Sequence, residues 1–311
     1  MCGRTCMTLA PEQVKCSCKY KTKEDKESEP KYRNEYNLGR KYCNLNLPDP
    51  SYNSAPGDIC QIIVSAKNFD DNADSSERVL IPALWGIVPK WHKGDYRKHG
   101  LTTNNARLEK LTSSKLYNPA LESGRRCILV IEGFYEWQTV DSKLKSSQRP
   151  VYFIQMPQGE SKAKDEIKLM FVAGLFDVWN DADGDSLYSF TVITYESDKH
   201  FDWLHHRTPA ILETEDQISD WLDYERIPSK EALNVIKHPK SIVWYQVSNY
   251  VNSTKNKLEQ CRKPIEDVKA ESNKKNSLLS WINKRKNSED DKNVTKLEDL
   301  EENSSKRLKQ E

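Results

Sequence analysis

The chain has 311 residues, 36% of them hydrophobic, and 48 Lys and Arg stand against 47 Asp and Glu for a net charge of +1. This balance excludes a global nucleic-acid signature, so any basic binding surface must be local. Mean hydropathy of −0.83 is low for a chain folded throughout, which assigns part of it to tail, and no apolar run is long enough to span a membrane.

In chain order, Met1-Cys2-Gly3-Arg4 comes first. Methionine is trimmed when a small residue follows, which would leave Cys2 with a free α-amine (pKa about 7.7–8.0) beside its thiol (about 8.5). Such a 1,2-aminothiol condenses with an aldehyde at nitrogen and closes a thiazolidine through sulfur. It also suits an N-terminal nucleophile in hydrolysis, with the amine as its base. Cys16-Ser-Cys18 has the wrong spacing for a zinc knuckle, and no second pair complements it. With polar first residues and no secretory signal, the eight cysteines are expected as reduced thiols of a cytosolic or nuclear protein.

The charged stretch Lys19–Lys41 and the acidic Asp70–Glu77 are expected as surface insertions. Ile59–Ser65, Cys127–Ile131, Val151–Met156, Leu169–Phe176, Tyr188–Thr194 and Ile242–Val247 are short, β-branched or aromatic, and separated by turn residues. They predict strands of a mostly antiparallel sheet or barrel. Asn105–Leu111, Ser113–Leu121, Thr214–Leu222 and Ser229–Ile236 predict short helices. The fold class is therefore α+β: one compact β-rich domain over residues 1–264. From Ile265 to Glu311, Lys, Glu, Asp, Asn and Ser dominate, and a disordered tail is expected. Within it Leu278-Leu-Ser-Trp-Ile282 is a candidate docking motif, and Lys284-Arg-Lys and Lys306-Arg-Leu-Lys are candidate import signals.

Several polar residues stand out as chemistry. Glu136 follows an apolar strand among Phe134, Tyr135 and Trp137; burial there would raise its pKa and suit proton transfer, whereas a strand-end glutamate facing solvent would do nothing. His205 and His206 are adjacent and either serve a substrate with Arg207 or lie in a polar turn. Asn105 and Arg107, two apart, would present an amide and a guanidinium to one ligand if extended, while the asparagine alternatively caps a helix. Trp85 and Trp91 flank a Gly and a Pro; the first is expected in the core and Trp91 as an exposed stacking group.

Together these clusters resemble the SOS-response-associated peptidase (SRAP) family. The pieces run in the family's order from Cys2 to about Pro264: Met1-Cys-Gly-Arg4, Tyr52-Asn-Ser-Ala-Pro56, Trp85-Gly-Ile-Val-Pro-Lys-Trp91, Asn105-Ala-Arg107, Arg126-Cys-Ile, Gly133-Phe-Tyr-Glu-Trp137, Phe171-Val-Ala-Gly-Leu-Phe176, His205-His-Arg-Thr-Pro209 and Val247-Ser-Asn-Tyr-Val-Asn252. The resemblance implies covalent capture of abasic sites in single-stranded DNA, with residual lyase or autopeptidase activity and no cofactor or metal. It carries Cys2 over as nucleophile, Asn105, Glu136 and His205 as its active-site partners, and Arg4, Asn53, Trp91, Arg107 and Arg207 as residues near DNA. A monomer in the nucleus, with no membrane association and a replication-associated partner for the tail, is the corresponding expectation. The rival expectations are an N-terminal-nucleophile cysteine peptidase and a reversible, non-catalytic DNA reader. Thr208 in place of a methionine-like residue, the longer Lys19–Lys41 segment and Tyr195-Glu-Ser197 depart from the family pattern.

Overall fold

The structure, a computed structural model, describes residues 3–33, 50–140, 144–159 and 167–274. The chain divides into two compact units, Met1–Arg262 and Lys263–Glu311. Cys2 lies outside the described residues, as do the Leu278–Ile282 motif and both basic clusters of the tail.

In the first unit the strands are, in order, β1 (Thr5–Met7), β2 (Tyr20–Lys21), β3 (Glu27–Ser28), β4 (Lys31–Tyr32), β5 (Ser51–Ser54), β6 (Ile59–Ser65), β7 (Arg78–Trp85) and β8 (Asn105–Arg107). There follow β9 (Arg126–Ile131), β10 (Gly133–Trp137), β11 (Val151–Gln155), β12 (Met170–Asn180), β13 (Ser186–Glu196), β14 (Arg207–Pro209), β15 (Ile211–Leu212) and β16 (Val243–Val247). All six runs expected as strands are strands. Four short helices accompany them: α1 (Pro11–Ser17), α2 (Asn118–Glu122), α3 (Glu215–Leu222) and α4 (Ser229–Leu233).

One sheet runs β16-β11-β10-β1-β5, antiparallel throughout. The larger sheet runs β14-β13-β12-β9-β6-β7-β4, and β13 also pairs with β7, in parallel. That extra pairing closes β6, β7, β13, β12 and β9 into a five-stranded barrel, which removes the open edges these apolar strands would otherwise expose. Their runs are apolar without alternation because both faces are covered. Ile63, Leu80, Ile128 and Ile193 pack with Leu121 and Trp221 from the helices, while Ile62, Ile81, Leu129 and Val192 pack with Phe134 and Ile154 of the smaller sheet.

Two expectations are corrected. Asn105–Leu111 is not a helix: β13 offers Val192, Ile193 and Thr194 as parallel partners to Asn105, Ala106 and Arg107, and only a 3-10 turn, Leu108–Lys110, follows. The strand Arg78–Trp85 was not anticipated, because Pro82 argues against a central strand. Its neighbours explain the tolerance: on one side of β7, β4 pairs at Val79 and Leu80 and β13 at Leu84 and Trp85, leaving Pro82 between the two ladders. The helix expected at Ser113–Leu121 shrinks to α2, and that at Ser229–Ile236 to α4. Thr214 caps α3 in a reciprocal box with Gln217.

The described part of the second unit is helical over 265–274. The Val268 amide donates to the Pro264 carbonyl at 3.2 Å, and Lys263 pairs with Glu271 at 2.9 Å. Ile265-Glu-Asp-Val-Lys-Ala-Glu271 has fair helix propensity, so the charged composition expected as tail also permits this helix of nearly three turns.

Candidate active site

The site begins with the way the N-terminal strand is held. Thr5 and Cys6 pair with Phe134 and Gly133, and the Tyr135 amide donates to the Arg4 carbonyl at 2.9 Å. Continued by one pair, this antiparallel register sets Gly3 opposite Glu136. A side chain at Gly133 would collide with the Ile154 carbonyl and the Phe153 ring, so only glycine allows β10 to lie this tightly against β11.

Behind β1, the segment from Ser248 to Arg262 acts as a clasp. Arg4 donates to the carbonyls of Val251 at 2.8 Å and Asn252 at 3.2 Å and to Asn53 Oδ1 at 3.2 Å. Asn53 is completely buried, and its amide nitrogen donates to the carbonyls of Val251, Ser253 and Asn256. Beneath the strand, Glu132 accepts from the Cys6 thiol at 3.1 Å, Thr8 Oγ1 at 2.8 Å and Arg262 Nη1 at 2.8 Å. Burial and the Glu132 charge push the Cys6 thiol well above its usual range, so it is a neutral donor here.

Glu136 is 2% exposed. Burial raises its carboxyl above the ordinary range, opposed by the positive charge of the chain's amino terminus. The aromatic setting read from sequence is thus a real desolvation. His205 is 5% exposed. Burial, then the charge of the amino terminus, then His206 lower its pKa to about 4. The same terminal charge therefore bears on both groups. The Thr139 amide donates to the Leu204 carbonyl at 2.9 Å, joining the end of β10 to the segment that carries His205.

The tautomer of His205 follows from its neighbour. The Arg207 amide, which can only donate, lies 2.9 Å from Nδ1, whereas the Arg207 carbonyl is 3.3 Å away. Nδ1 is the acceptor, and the proton of the neutral ring sits on Nε2. His206 is exposed and stacks on His205 with ring centroids 4.4 Å apart.

β13 brings the remaining residues together. It pairs with Asn105–Arg107 on one side and Arg207–Pro209 on the other. Asn105 is half-buried and Arg107 exposed. Arg207 is 6% exposed and forks onto Glu109 at 2.6 and 3.1 Å while donating to the Thr194 carbonyl at 2.6 Å. Trp85 is core, as expected, and Trp91 is 58% exposed on the loop beyond Gly86, whose φ of +123° turns the chain out of β7. Beside this loop a cleft of about 380 Å³ is lined by Pro56, Gly86, Tyr96, His99, Thr103 and Asn104.

A model of the SOS response associated peptidase (SRAP) family matches residues 1–254. The chain belongs to this family. It is 37% identical over 278 residues to the abasic site processing protein HMCES of Xenopus tropicalis, covering 85% of this chain and 78% of that protein. It is 33% identical over 299 residues to the HMCES of Gallus gallus, covering 91% and 84% respectively. In fold it resembles a crystal structure of a Bacteroides thetaiotaomicron protein, with a TM-score of 0.60 and 18% identity over 84% of this chain and 99% of that one.

For this SRAP chain, Asn105, Glu136 and His205 are arranged by β8, β10 and the segment before β14. Arg107 and Trp91 are exposed. Arg4, Asn53 and Arg207 are differently placed: each is committed to carbonyls or a carboxylate of the protein itself, so they brace the site from behind. Their residue types suggested ligand contacts; in the fold the half-buried Arg4 and the buried Asn53 and Arg207 donate to groups of the protein. Sequence reasoning left Glu109, Glu132 and Arg262 without roles. The Arg107-x-Glu109 spacing was the available signal for the first; nothing local marks the other two, whose partners are far apart in the chain.

Proposed function

We propose that this protein captures abasic sites in single-stranded DNA covalently, through Cys2 after removal of Met1. The observation that carries the proposal is that a buried, high-pKa carboxyl at Glu136 lies opposite Gly3 when the β1–β10 register is continued, while a buried neutral imidazole at His205 sits on the segment joined to the end of β10. A thiol nucleophile alone needs no such pair around its amine; imine chemistry does.

The open abasic sugar presents an aldehyde at C1′. His205, neutral with its proton on Nε2, hydrogen-bonds the ring oxygen and assists opening without carrying a charge. The α-amine of Cys2 adds to C1′, forming a C–N bond while its proton passes to Glu136. Glu136 returns that proton to the oxygen to complete the carbinolamine, then passes the remaining nitrogen proton to the hydroxyl, which leaves as water and gives the neutral Schiff base. The thiol then adds to that carbon, its proton goes to nitrogen, and the thiazolidine closes. Asn105 orients the sugar or amine, and Arg107 and Trp91 meet the strand. If ring closure fails, loss of a C2′ proton from the Schiff base breaks the 3′ phosphate bond by β-elimination, a residual lyase activity. We place this activity in the nucleus.

The test is a denaturing gel of purified protein with single-stranded DNA bearing one abasic site. A shifted band is expected for wild type and none for Cys2→Ala. No shift for wild type, or an equal shift for Cys2→Ala, would overturn the proposal.

A further inference from the structure

Strands β10, β11 and β16 lie side by side with registers Glu136–Tyr152–Gln246 and Phe134–Ile154–Trp244. Residues opposite one another across a ladder share a face, and those two apart along a strand do too. Glu136, Tyr152 and Trp244 are therefore on the same face of the sheet. The segment carrying His205 lies over this face: Phe201 packs on Phe134 with centroids 6.2 Å apart, Trp203 meets Tyr152 edge-on at 5.0 Å, and Trp203 meets Trp244 at 5.6 Å. An aromatic row thus leaves the Glu136–His205 site and reaches the edge strand β16, where Trp244 is 40% exposed. From β10 to β16 is two strand spacings, about 10 Å.

This row is held firmly. Trp203 Nε1 donates to the His200 carbonyl at 3.0 Å, and Gln138 Nε2 reaches the Trp203 carbonyl at 3.5 Å. Half-exposed, mutually supporting rings offer flat apolar faces at small ordering cost. Unpaired bases stack on such faces whatever their sequence. A strand whose abasic sugar is engaged at Glu136 and His205 necessarily brings flanking nucleotides within about this distance.

We infer that Tyr152, Trp203 and Trp244 form a stacking platform for an unpaired base flanking the captured lesion. The inference rests on the proposed reading of the Glu136–His205 site and adds a subsite to it. Its ligand class is an unpaired nucleobase, taken without sequence preference.

The test measures reversible binding of intact single-stranded DNA to the full chain carrying Cys2→Ala, by anisotropy, with and without Trp244→Ala. A weakening of about 5- to 150-fold is expected, the range given by loss of one base–aromatic stack. Trp244→Phe should restore binding to within about twofold of the parent on the same stacking logic, and the salt slope should not change, because no phosphate contact is lost. Unchanged or tighter binding by Trp244→Ala would overturn the inference and return the patch to coverage by a protein segment. A second measurement needs no variant: oligonucleotides carrying 5-iododeoxyuridine beside the abasic site are photolysed on wild-type protein, and adducts are mapped by mass spectrometry. Adducts on Tyr152, Trp203 or Trp244 are expected; adducts confined to other peptides would overturn the platform. Covalent capture by the Trp244→Ala chain with intact Cys2 separates the two failures. If capture persists but the platform results are negative, only the platform falls; if wild type captures nothing, the underlying reading falls first.

Discussion

At the scale of single residues, charge state decides the chemistry. His205 takes up a proton near pH 4 in the folded protein, against about 6.5 for an unfolded histidine. Its folded pKa is lowered, so it contributes stability that is full above pH 6.5 and is lost as pH falls toward 4. Two outcomes follow. The rate of covalent capture should show no imidazole limb between pH 5.5 and 7, only the limb of the α-amine near 8, measured by quenched gel time courses. A His205→Ala chain should lose less stability on acidification across that window than wild type, measured by denaturant midpoints; equal loss would contradict the buried neutral ring. Asn53→Ala orphans main-chain carbonyls at a fully buried position and should cost about 1–3 kcal/mol for each acceptor left unsatisfied. Glu136 was legible in the sequence as a carboxylate among aromatic residues, and its burial bears that out. Asn53 and Arg4 were legible as important but not in kind, since the carbonyls they hold lie about two hundred residues away and leave no local trace.

Among the elements, β1 and the clasp behind it set the geometry of the amino terminus. The Arg262–Glu132 ion pair sits beneath β1, with Glu132 only 1% exposed. Arg262→Ala would leave that carboxylate buried and uncompensated, at a cost of about 3–5 kcal/mol in unfolding free energy. Capture should slow along with it, because β1, which follows Cys2 in the chain, loses its floor; Arg262→Lys should recover part of both. A chain with unaltered denaturant midpoint would show that the pair carries little. Strands with β-branched, aromatic runs were readable one by one. The β7 strand was hidden by Pro82, and β8 by an asparagine that suits a helix cap as well as a strand start. In both cases partner strands, absent from any local window, settle the matter.

Over the whole molecule, near-neutral net charge and a barrel closed by the β13–β7 pairing leave DNA contact to a few exposed groups. Arg4 and Arg207 are engaged internally, so Arg107 is the arginine of the expected DNA set that stands exposed. Its replacement by alanine should reduce the dependence of log affinity on log salt by about 0.7, the value for one phosphate contact on a single strand. An unchanged slope would place the phosphate contacts elsewhere. The family was legible because nine short clusters keep their order, whereas the barrel closure was not, because it depends on a single parallel pairing between strands about a hundred residues apart.

In the proposed reaction the amino-terminal cysteine, through amine and sulfur together, traps the abasic aldehyde. The most direct measurement is peptide mapping by mass spectrometry of the product formed with abasic single-stranded DNA, after nuclease digestion. The account predicts a chain lacking Met1, with the nucleotide remnant on Cys2 at the mass of condensation with loss of one water and with no free thiol at that residue. A remnant on an internal lysine or on another cysteine, or an adduct on a chain that retains Met1, would contradict it.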